Sequence, residues 1–442
     1  MKDHRLGVLS GMGMGIANMI GAGVFLSASY MPLGLNPKQI LAAWIIGTLL
    51  ALAGAKAYSG IAQIVPHSGG EYRFLSTLIH PALGYLAGWA SLLIGFSAPI
   101  AVNALAAGSF AGTLYSGTNT KLFATLMILA LTAVHAIGLR FSVATQNTLV
   151  ALKILLVAGF IVAGLVGGSR VWPGWTPLNQ TDGFPIDSFM SNMLYVAFAF
   201  SGWNAAVYAA SEFKNPKRDV PRAMILSCIV VGIIYLFINW VFIANLTPGQ
   251  LADISTNDTD RITTLGHLIM KNILGEVAAA CMSILAIIAF ISSSSAMTFL
   301  GPRVYAAMAR DGFLPAALKG KEGKPPVGAV LLQGAIALLL VFADSLKDVL
   351  RNVGAILTLF STLTVFSLFW ICFKRREYQR PALLVMIAAG FYFIVSVVML
   401  YFGFIDSPTL NLWVGACILA ALSGYFIAKR KIASRGDRIS GA

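Results

Sequence analysis

The chain has 442 residues, of which 58% are hydrophobic and 11% are charged; an ordinary soluble enzyme or binding domain, with about 25% charged residues, is therefore excluded. Its formal net charge is +14, but the cations cluster between long apolar runs, which favours membrane topology over nucleic acid binding. These runs recur along the whole chain, and each can cross a hydrocarbon core of about 30 Å as a helix. We predict an all-α integral membrane protein.

The charge pattern predicts the orientation of about twelve transmembrane helices. With both termini inside, 22 Lys and Arg residues fall in cytoplasmic segments and seven in external segments, as the positive-inside rule requires. We predict a multi-pass protein of the cell (inner) membrane with cytoplasmic N and C termini. The predicted helices span about 7–30, 39–64, 82–113, 121–139, 146–168, 187–211, 223–246, 276–300, 327–343, 351–373, 382–403 and 410–428.

The predicted helices form one transmembrane domain over residues 1–442. Helices 1–5 make a first half (about 7–168), helices 6–10 a second half (about 187–373), and two further helices (about 382–428) precede a basic tail (429–442). Residues 74–120 contain no Asp, Glu, Lys or Arg. We predict one long tilted helix there, because two short helices would invert all of the downstream topology.

Helices 1 and 6 each carry glycine near the middle of the membrane, which predicts that both are interrupted. Helix 1 contains Gly21 and Gly23, and helix 6 contains Gly202 beside Ser201. Glycine inside a helix costs about 1 kcal/mol relative to alanine, and unwound backbone in a bilayer is tolerated only inside protein or beside a cavity. Since each helix opens one half, the pattern indicates a transporter with its binding site at the breaks. Close helix packing on small residues is the alternative interpretation.

A broken helix offers unpaired N–H groups at the start of its second part and unpaired carbonyl groups at the end of its first part. We predict that the carboxylate of an amino acid binds the N–H groups of Ala22, Gly23 and Val24. Its ammonium group would bind carbonyl groups near Ile20 and within residues 198–201. The predicted substrate-binding residues are Asn18, Ile20, Gly21, Ala22, Gly23, Val24, Phe198, Ala199, Phe200, Ser201, Gly202 and Asn204.

Lys153 lies within helix 5 with no carboxylate nearby in the sequence. A lysine in the middle of the bilayer costs about 2.5–3.5 kcal/mol on insertion scales and usually faces a cavity or a partner. We predict that its amine is fixed against helix 1 carbonyl groups, where it can also carry a proton; an amine that reaches the cytoplasmic interface is the alternative. In helix 8, Ser293 or a neighbour such as Ser292 is predicted to approach Lys153, which makes these three residues the predicted coupling group.

Enzyme and metal signatures are missing from the sequence. It contains no HExxH, no paired membrane aspartates and no Ser/His/Asp set placed for catalysis. The four cysteines form neither a CxxC motif nor a metal-ligand spacing. We therefore predict a protein that is not an enzyme, with no cofactor, no metal site and no nucleic acid partner.

Five segments resemble the amino acid–polyamine–organocation superfamily, and one of them is particularly similar to its L-type amino acid transporter branch. They are residues 18–25, 66–72, 200–204 (the L-type-like segment), 214–222 and 309–315. The resemblance implies the LeuT-like fold, in which ten helices form a 5+5 inverted repeat, helices 1 and 6 are unwound, and two C-terminal helices follow. It also implies sodium-independent transport by alternating access.

The resemblance also implies roles for individual residues. Phe198 matches an aromatic gate over the substrate, and Lys153 matches a lysine that replaces a sodium site in several members. Asn204 matches a position that is Glu in the related arginine/agmatine exchanger; with no other acid expected in mid-membrane, a neutral substrate is favoured. The Gly-Ser-Gly of many members is Gly21-Ala22-Gly23 here, so backbone N–H groups must hold the carboxylate without a hydroxyl.

The predicted function is secondary transport of small to mid-sized neutral L-amino acids, by exchange or by proton symport. The predicted partners are the amino acid, membrane lipid and, as a candidate co-substrate, protons. No obligate protein partner is inferred, because no cysteine falls in an external loop. The alternatives are a carrier of cationic amino acids or polyamines, and a membrane sensor that binds amino acids without transporting them.

Overall fold

The computed structural model describes residues 6–137, 139–177, 184–247, 249–251, 264–320, 325–342, 346–375, 377–406, 411, 414–415, 418–419 and 421–430. The predicted tail, residues 431–442, lies outside the described residues. Helices dominate the described chain. In chain order they are α1 (Val8–Met19), α2 (Ala22–Tyr30), α3 (Pro37–Ile64), α4 (Gly70–Leu78), α5 (Pro81–Ala90), α6 (Ala98–Leu114), α7 (Thr120–Ile137), α8 (Leu139–Gly167), α9 (Ile186–Ala199), α10 (Ala205–Tyr208), α11 (Pro216–Asn245), α12 (Leu265–Leu274), α13 (Glu276–Arg310), α14 (Val327–Val341), α15 (Leu346–Lys374) and α16 (Leu383–Asp406).

Nine helical segments among the described residues are long and apolar enough to cross a membrane. The chain is thus a multi-pass, all-α membrane protein, as predicted. Three of the twelve predicted spans are not among these nine segments, each for an identifiable reason. The sixth is broken after α9, the ninth (α14) has 15 residues, and the twelfth falls partly outside the described residues, with 421–430 helical.

Both predicted helix interruptions are present. In the first span α1 ends at Met19 and α2 begins at Ala22, so Ile20 and Gly21 leave the helix in extended backbone conformations. In the sixth span α9 ends at Ala199, residues 200–204 form turns, and α10 follows as a single helical turn. The two breaks occupy the first span of each predicted half.

The third span is one continuous helix, as predicted, and covers Pro81–Leu114. It begins at Pro81, where the His80 side chain accepts a hydrogen bond from the Ala82 N–H (3.1 Å) and so caps the helix start. Its middle, Ser91–Ser97, is wound as a π-helix. Such segments often occur at functional sites, and this one turns part of its surface towards the cavity described below.

The broken spans form the centre of the molecule. α2 packs against α9, and α1 packs against α10, while α3, α11 and α13 surround them. Every residue of α2 is buried. α8 starts at Leu139 rather than near residue 146 as predicted, so Lys153 lies about four turns into the helix instead of two.

Candidate functional site

The amine of Lys153 lies against the first break. Its Nζ donates hydrogen bonds to the carbonyl oxygens of Ala17 (2.8 Å) and Ile20 (2.5 Å), and the residue is 0% exposed. These carbonyl groups have lost helical partners because α1 stops at Met19. The predicted contact with helix 1 carbonyls is therefore present, and the alternative in which the amine reaches the membrane interface is wrong.

Two hydroxyl groups bind the remaining carbonyl groups at the end of α1. The Ser293 Oγ of α13 donates to the carbonyl oxygen of Asn18 (3.2 Å). The Tyr235 hydroxyl of α11 lies 2.6 Å from the carbonyl oxygen of Met19 and 2.8 Å from that of Ala199. Because Ala199 ends α9, the Tyr235 hydroxyl bridges the two breaks.

Asn103 of α6 completes this network and changes the predicted binding site. Its Oδ1 accepts the N–H of Ala22 (2.8 Å), and its Nδ2 lies 3.3 Å from the Ser293 Oγ. The Ala22 N–H and the Ile20 carbonyl are therefore already paired, contrary to the expectation that both are open to a substrate. At the start of α2, the N–H groups of Gly23 and Val24 remain available, because no side chain of the described chain accepts a hydrogen bond from them.

No hydrogen bond joins Ser292 or Ser293 to Lys153 in the described chain, so their predicted approach to the amine stays a prediction. Ser293 binds the break through Asn18 and Asn103, and the buried Ser292 Oγ has no hydrogen-bond partner among the described residues. Successive helical residues point about 100° apart, so these two side chains cannot serve the same group. Ser293 holds the same unwound segment as Lys153 but at a different carbonyl.

Replacing Ser293 with alanine is expected to lower substrate affinity by about fivefold, because one net hydrogen bond of about 1 kcal/mol to the unwound segment is lost. Ser292→Ala, one position away on the same buried helix, is the matched control and should change affinity less than twofold. Binding titrations of purified variants measure this. Equal effects of the two substitutions would contradict the assignment of Ser293 to the break.

Beyond the breaks, α2 and α9 are in close contact. A Cβ atom added at Gly23 would lie 2.6 Å from the Cα of Ala199, so the backbones touch at this point. Further along the two helices, the rings of Tyr30 and Tyr195 stack with their centroids 5.6 Å apart. The structure therefore shows a conformation in which this side of the site is closed.

The second break depends on Gly202. Its φ is +101°, a conformation that side chains rarely adopt. A Cβ atom there would also lie 2.7 Å from the Cβ and Cγ of Asn18 in the first break. Glycine thus allows the turn and the approach of the two unwound segments, which explains the sequence signal in helix 6.

A cavity of about 60 Å³ lies beside the breaks, on the side of α1 and α10. Five predicted binding residues line it, namely Asn18, Phe200, Ser201, Gly202 and Asn204. The other seven are not part of its wall: Ile20, Gly21, Ala22, Gly23, Val24, Phe198 and Ala199. They lie where the two breaks are packed together, which is why no space adjoins them in this conformation.

Carbonyl groups of the second break are mostly paired. The Phe198 carbonyl accepts the N–H of Ser201 (2.9 Å), and the Phe200 carbonyl accepts the N–H of Trp203 (3.2 Å). Together with Ala199, which Tyr235 binds, this leaves the Ser201 carbonyl as the acceptor of residues 198–201 to which no backbone or side-chain group of the described chain donates. Of the carbonyl groups predicted within residues 198–201 to bind the ammonium group, only that of Ser201 is therefore unpaired in the described chain.

Asn18 supplies a further acceptor to the cavity. The residue is 4% exposed, and its Oδ1 has no hydrogen-bond partner among the described residues. A buried polar atom without a partner is costly, so this oxygen is suited to a ligand that brings a donor. An ammonium group is such a donor.

The side chain of Glu71 on α4 lies in the cavity wall and is 6% exposed. Its Oε1 accepts hydrogen bonds from the Tyr58 hydroxyl (2.9 Å) and the Asn204 Nδ2 (2.5 Å), and its Oε2 accepts one from the Tyr208 hydroxyl (2.7 Å). Burial raises the pKa of the Glu71 carboxyl, and these hydrogen bonds oppose the rise. An acid therefore adjoins Asn204, although it lies on α4 and not within one of the predicted spans.

Ion pairs surround this end of the cavity. Arg303 binds Glu212 through two contacts, Nε to Oε1 at 2.5 Å and Nη2 to Oε2 at 3.0 Å. Arg73 lies 3.1 Å from Asp311, whose other contact is the Tyr72 hydroxyl at 2.5 Å. These contacts join α4 and α13 to each other and to the segment after α10.

Three residues of the site were not predicted from the sequence: Asn103, Tyr235 and Glu71. Asn103 and Tyr235 are polar residues inside otherwise apolar helices, which was an available signal because such residues usually face protein. Glu71 gave no comparable signal, since an acid after two glycines in a predicted loop is ordinary.

Comparison with known proteins finds a family model and several relatives that cover most of the chain. The amino acid permease family matches residues 6–426 of the chain. The large neutral amino acids transporter small subunit 2 of Oryctolagus cuniculus is 26% identical over 447 residues, which is 96% of this chain and 80% of the relative. The b(0,+)-type amino acid transporter 1 of Mus musculus is 25% identical, with 96% and 88% covered. The serine/threonine exchanger SteT of Bacillus subtilis (strain 168) is 25% identical, with 97% of both chains covered.

Proposed function

Because the chain belongs to the amino acid permease family, we propose that it is a sodium-independent secondary transporter of small neutral L-amino acids that works by alternating access. One observation carries the proposal: two broken helices meet at a cavity whose wall includes Asn18, a residue with a buried, unpartnered acceptor. A zwitterion needs donors and acceptors a short distance apart, and the ends of the half-helices supply both.

In the proposed binding mode the two charged groups of the substrate use different breaks. The carboxylate binds the N–H groups of Gly23 and Val24 at the start of α2, where the helix dipole favours an anion. The ammonium group binds the Asn18 Oδ1 and the Ser201 carbonyl. Since the backbone of Ala199 adjoins Gly23 in this conformation, α2 and α9 separate when the carboxylate enters.

The aromatic residue Phe198 is proposed to close over the substrate, as the family resemblance implies. It lies at the end of α9, one position before the residue that touches Gly23. Movement of α9 away from α2 therefore moves Phe198 as well. Movement of α9 would thus control both the position of the Phe198 gate and the access of the carboxylate to α2.

The size of the cavity supports a small substrate. Its volume of about 60 Å³ accommodates about four to six water molecules, which is comparable with the non-hydrogen atoms of alanine or serine. Glu71 in the wall favours a cationic substrate as the second candidate. Its carboxylate already accepts three hydrogen bonds, however, and a volume of about 60 Å³ is small for arginine or a polyamine.

Lys153 is proposed to act as the coupling residue by standing as a fixed cation at the first break. Its amine binds two carbonyl groups that would otherwise be suited to a metal cation, so transport does not require sodium. The excess of Lys and Arg in predicted cytoplasmic segments supports termini on the cytoplasmic side of the cell membrane.

Counterflow in proteoliposomes tests this proposal. Vesicles loaded with unlabelled alanine should accumulate labelled external alanine, equally with sodium and with choline in the buffer. Unlabelled serine and threonine at 100-fold excess should inhibit accumulation, while arginine and putrescine should not. Saturable alanine binding without any flux would instead indicate a sensor, and inhibition by arginine or putrescine alone would indicate the cationic alternative.

A further inference from the structure

The two oxygens of the Glu71 carboxylate differ in their surroundings. Oε1 accepts from two groups, the Tyr58 hydroxyl on α3 and the Asn204 amide. Oε2 has one partner, the Tyr208 hydroxyl at 2.7 Å. The Asn204 Nδ2 also lies 3.1 Å from the Tyr208 oxygen. Oε2 is therefore the oxygen with room for a hydrogen atom.

A tyrosine hydroxyl can bind a carboxylate or a carboxylic acid, because it both donates and accepts, and its bond to the charged form is the stronger of the two. When Glu71 is ionised, Tyr208 donates to Oε2. When Oε2 carries a proton, that O–H donates to the Tyr208 oxygen, and the Tyr208 hydrogen turns towards the cavity that the residue also lines. The bonds from Tyr58 and Asn204 to Oε1 persist in both states.

The charges around Glu71 do not fix it in the ionised state. The titratable groups that face it are tyrosines: Tyr58 of α3, Tyr208 of the sixth span and Tyr392 of α16. Among the described residues no lysine, arginine or histidine forms an ion pair with it. A carboxylate that is buried without a cation favours the neutral form.

We propose that Oε2 of Glu71 is a proton-binding site through which this transporter couples amino acid movement to proton movement. The inference rests on the proposed transport function and adds the co-substrate. Water on the side to which the cavity opens supplies the proton to Oε2, and water on the other side receives it after the site reorients. Asn204 lies in the second break and binds Glu71. Protonation of Glu71 therefore acts directly on the unwound segment of the sixth span, which moves during transport.

The primary test compares two transport modes in the same proteoliposomes. Wild-type protein should accumulate alanine above its external concentration when the outside is acidic, and accumulation should fall as the external pH rises. Glu71→Gln keeps the shape of the side chain but cannot bind the proton. It should lose at least 90% of pH-driven accumulation, whereas its remaining counterflow should show no pH dependence. Glu377→Gln, at an exposed glutamate, is the control and should behave as wild type.

A second variant keeps the proposal testable if Glu71→Gln shows no counterflow at all. Tyr208→Phe removes the donor that stabilises the ionised form, so the midpoint of the pH profile should move up by about one pH unit. An unchanged midpoint would overturn the assignment.

The outcomes separate the two proposals. Wild-type counterflow that does not respond to a pH gradient would overturn the proton site but not the transport function. Full pH-driven accumulation by Glu71→Gln would have the same consequence. Failure of wild-type protein to perform counterflow removes the transport function itself.

Discussion

Lys153→Ala is expected to reduce alanine transport by about 30-fold or more. The substitution leaves the carbonyl groups of Ala17 and Ile20 buried without their donor. Each unsatisfied group costs about 1–3 kcal/mol, and the sum of at least about 2 kcal/mol corresponds to this loss of rate. Initial rates of counterflow, normalised to the amount of reconstituted protein, measure the effect.

Two further variants separate hydrogen bonding from packing at this position. Lys153→Met retains most of the side-chain volume but has no donor, so it should be as inactive as Lys153→Ala. Lys56→Met removes another lysine within a predicted span, which is only half-buried on α3, and the variant should retain most of its activity. Normal, pH-dependent uptake by Lys153→Ala would show that the amine does not hold the first break.

Gly23→Val, alone or with Gly21→Val, is expected to abolish alanine binding. A Cβ atom at Gly23 would lie 2.6 Å from the Ala199 Cα, and one at Gly21 would lie 2.7 Å from the Ser293 Oγ. Overpacking typically costs about 1–3 kcal/mol, and here the crowded partner at Gly23 is backbone. The branched side chain also covers the N–H groups proposed for the carboxylate. Isothermal titration with alanine measures the loss.

Gly159→Val is the matched control for this substitution. Gly159 is exposed on α8, and a Cβ atom there would meet no atom within 4 Å. The control should bind alanine normally and should unfold at the wild-type temperature. Undiminished binding by Gly23→Val would mean that the substrate does not use the start of α2.

The parts of the fold that depend on local sequence were predictable. Apolar runs specify membrane helices whatever their neighbours, and glycines at two mid-membrane positions specified both breaks. The position of Lys153 was predictable for a related reason, because a membrane-buried amine needs acceptors and a broken helix supplies them. The predicted helix boundaries were wrong where a helix continues through a short polar stretch, as at the start of α8.

The partners of the breaks depend on contacts between distant parts of the chain, and these were not predictable. Asn103 reaches Ala22 across 81 positions, and Tyr235 reaches Met19 across 216. Glu71 reaches Asn204 across 133. A single sequence records that such residues are polar but not which group each one meets. The two breaks were therefore predictable from the sequence, whereas the backbone groups at them that are already paired were not.

An experimental structure with alanine bound is the most direct test of the binding mode. The account predicts that the α-carboxylate lies within about 3 Å of the Gly23 or Val24 nitrogen, that the ammonium group contacts the Asn18 Oδ1, and that α9 has moved away from α2. Alanine bound with its carboxylate remote from both nitrogens, while Ala199 still touches Gly23, would contradict it.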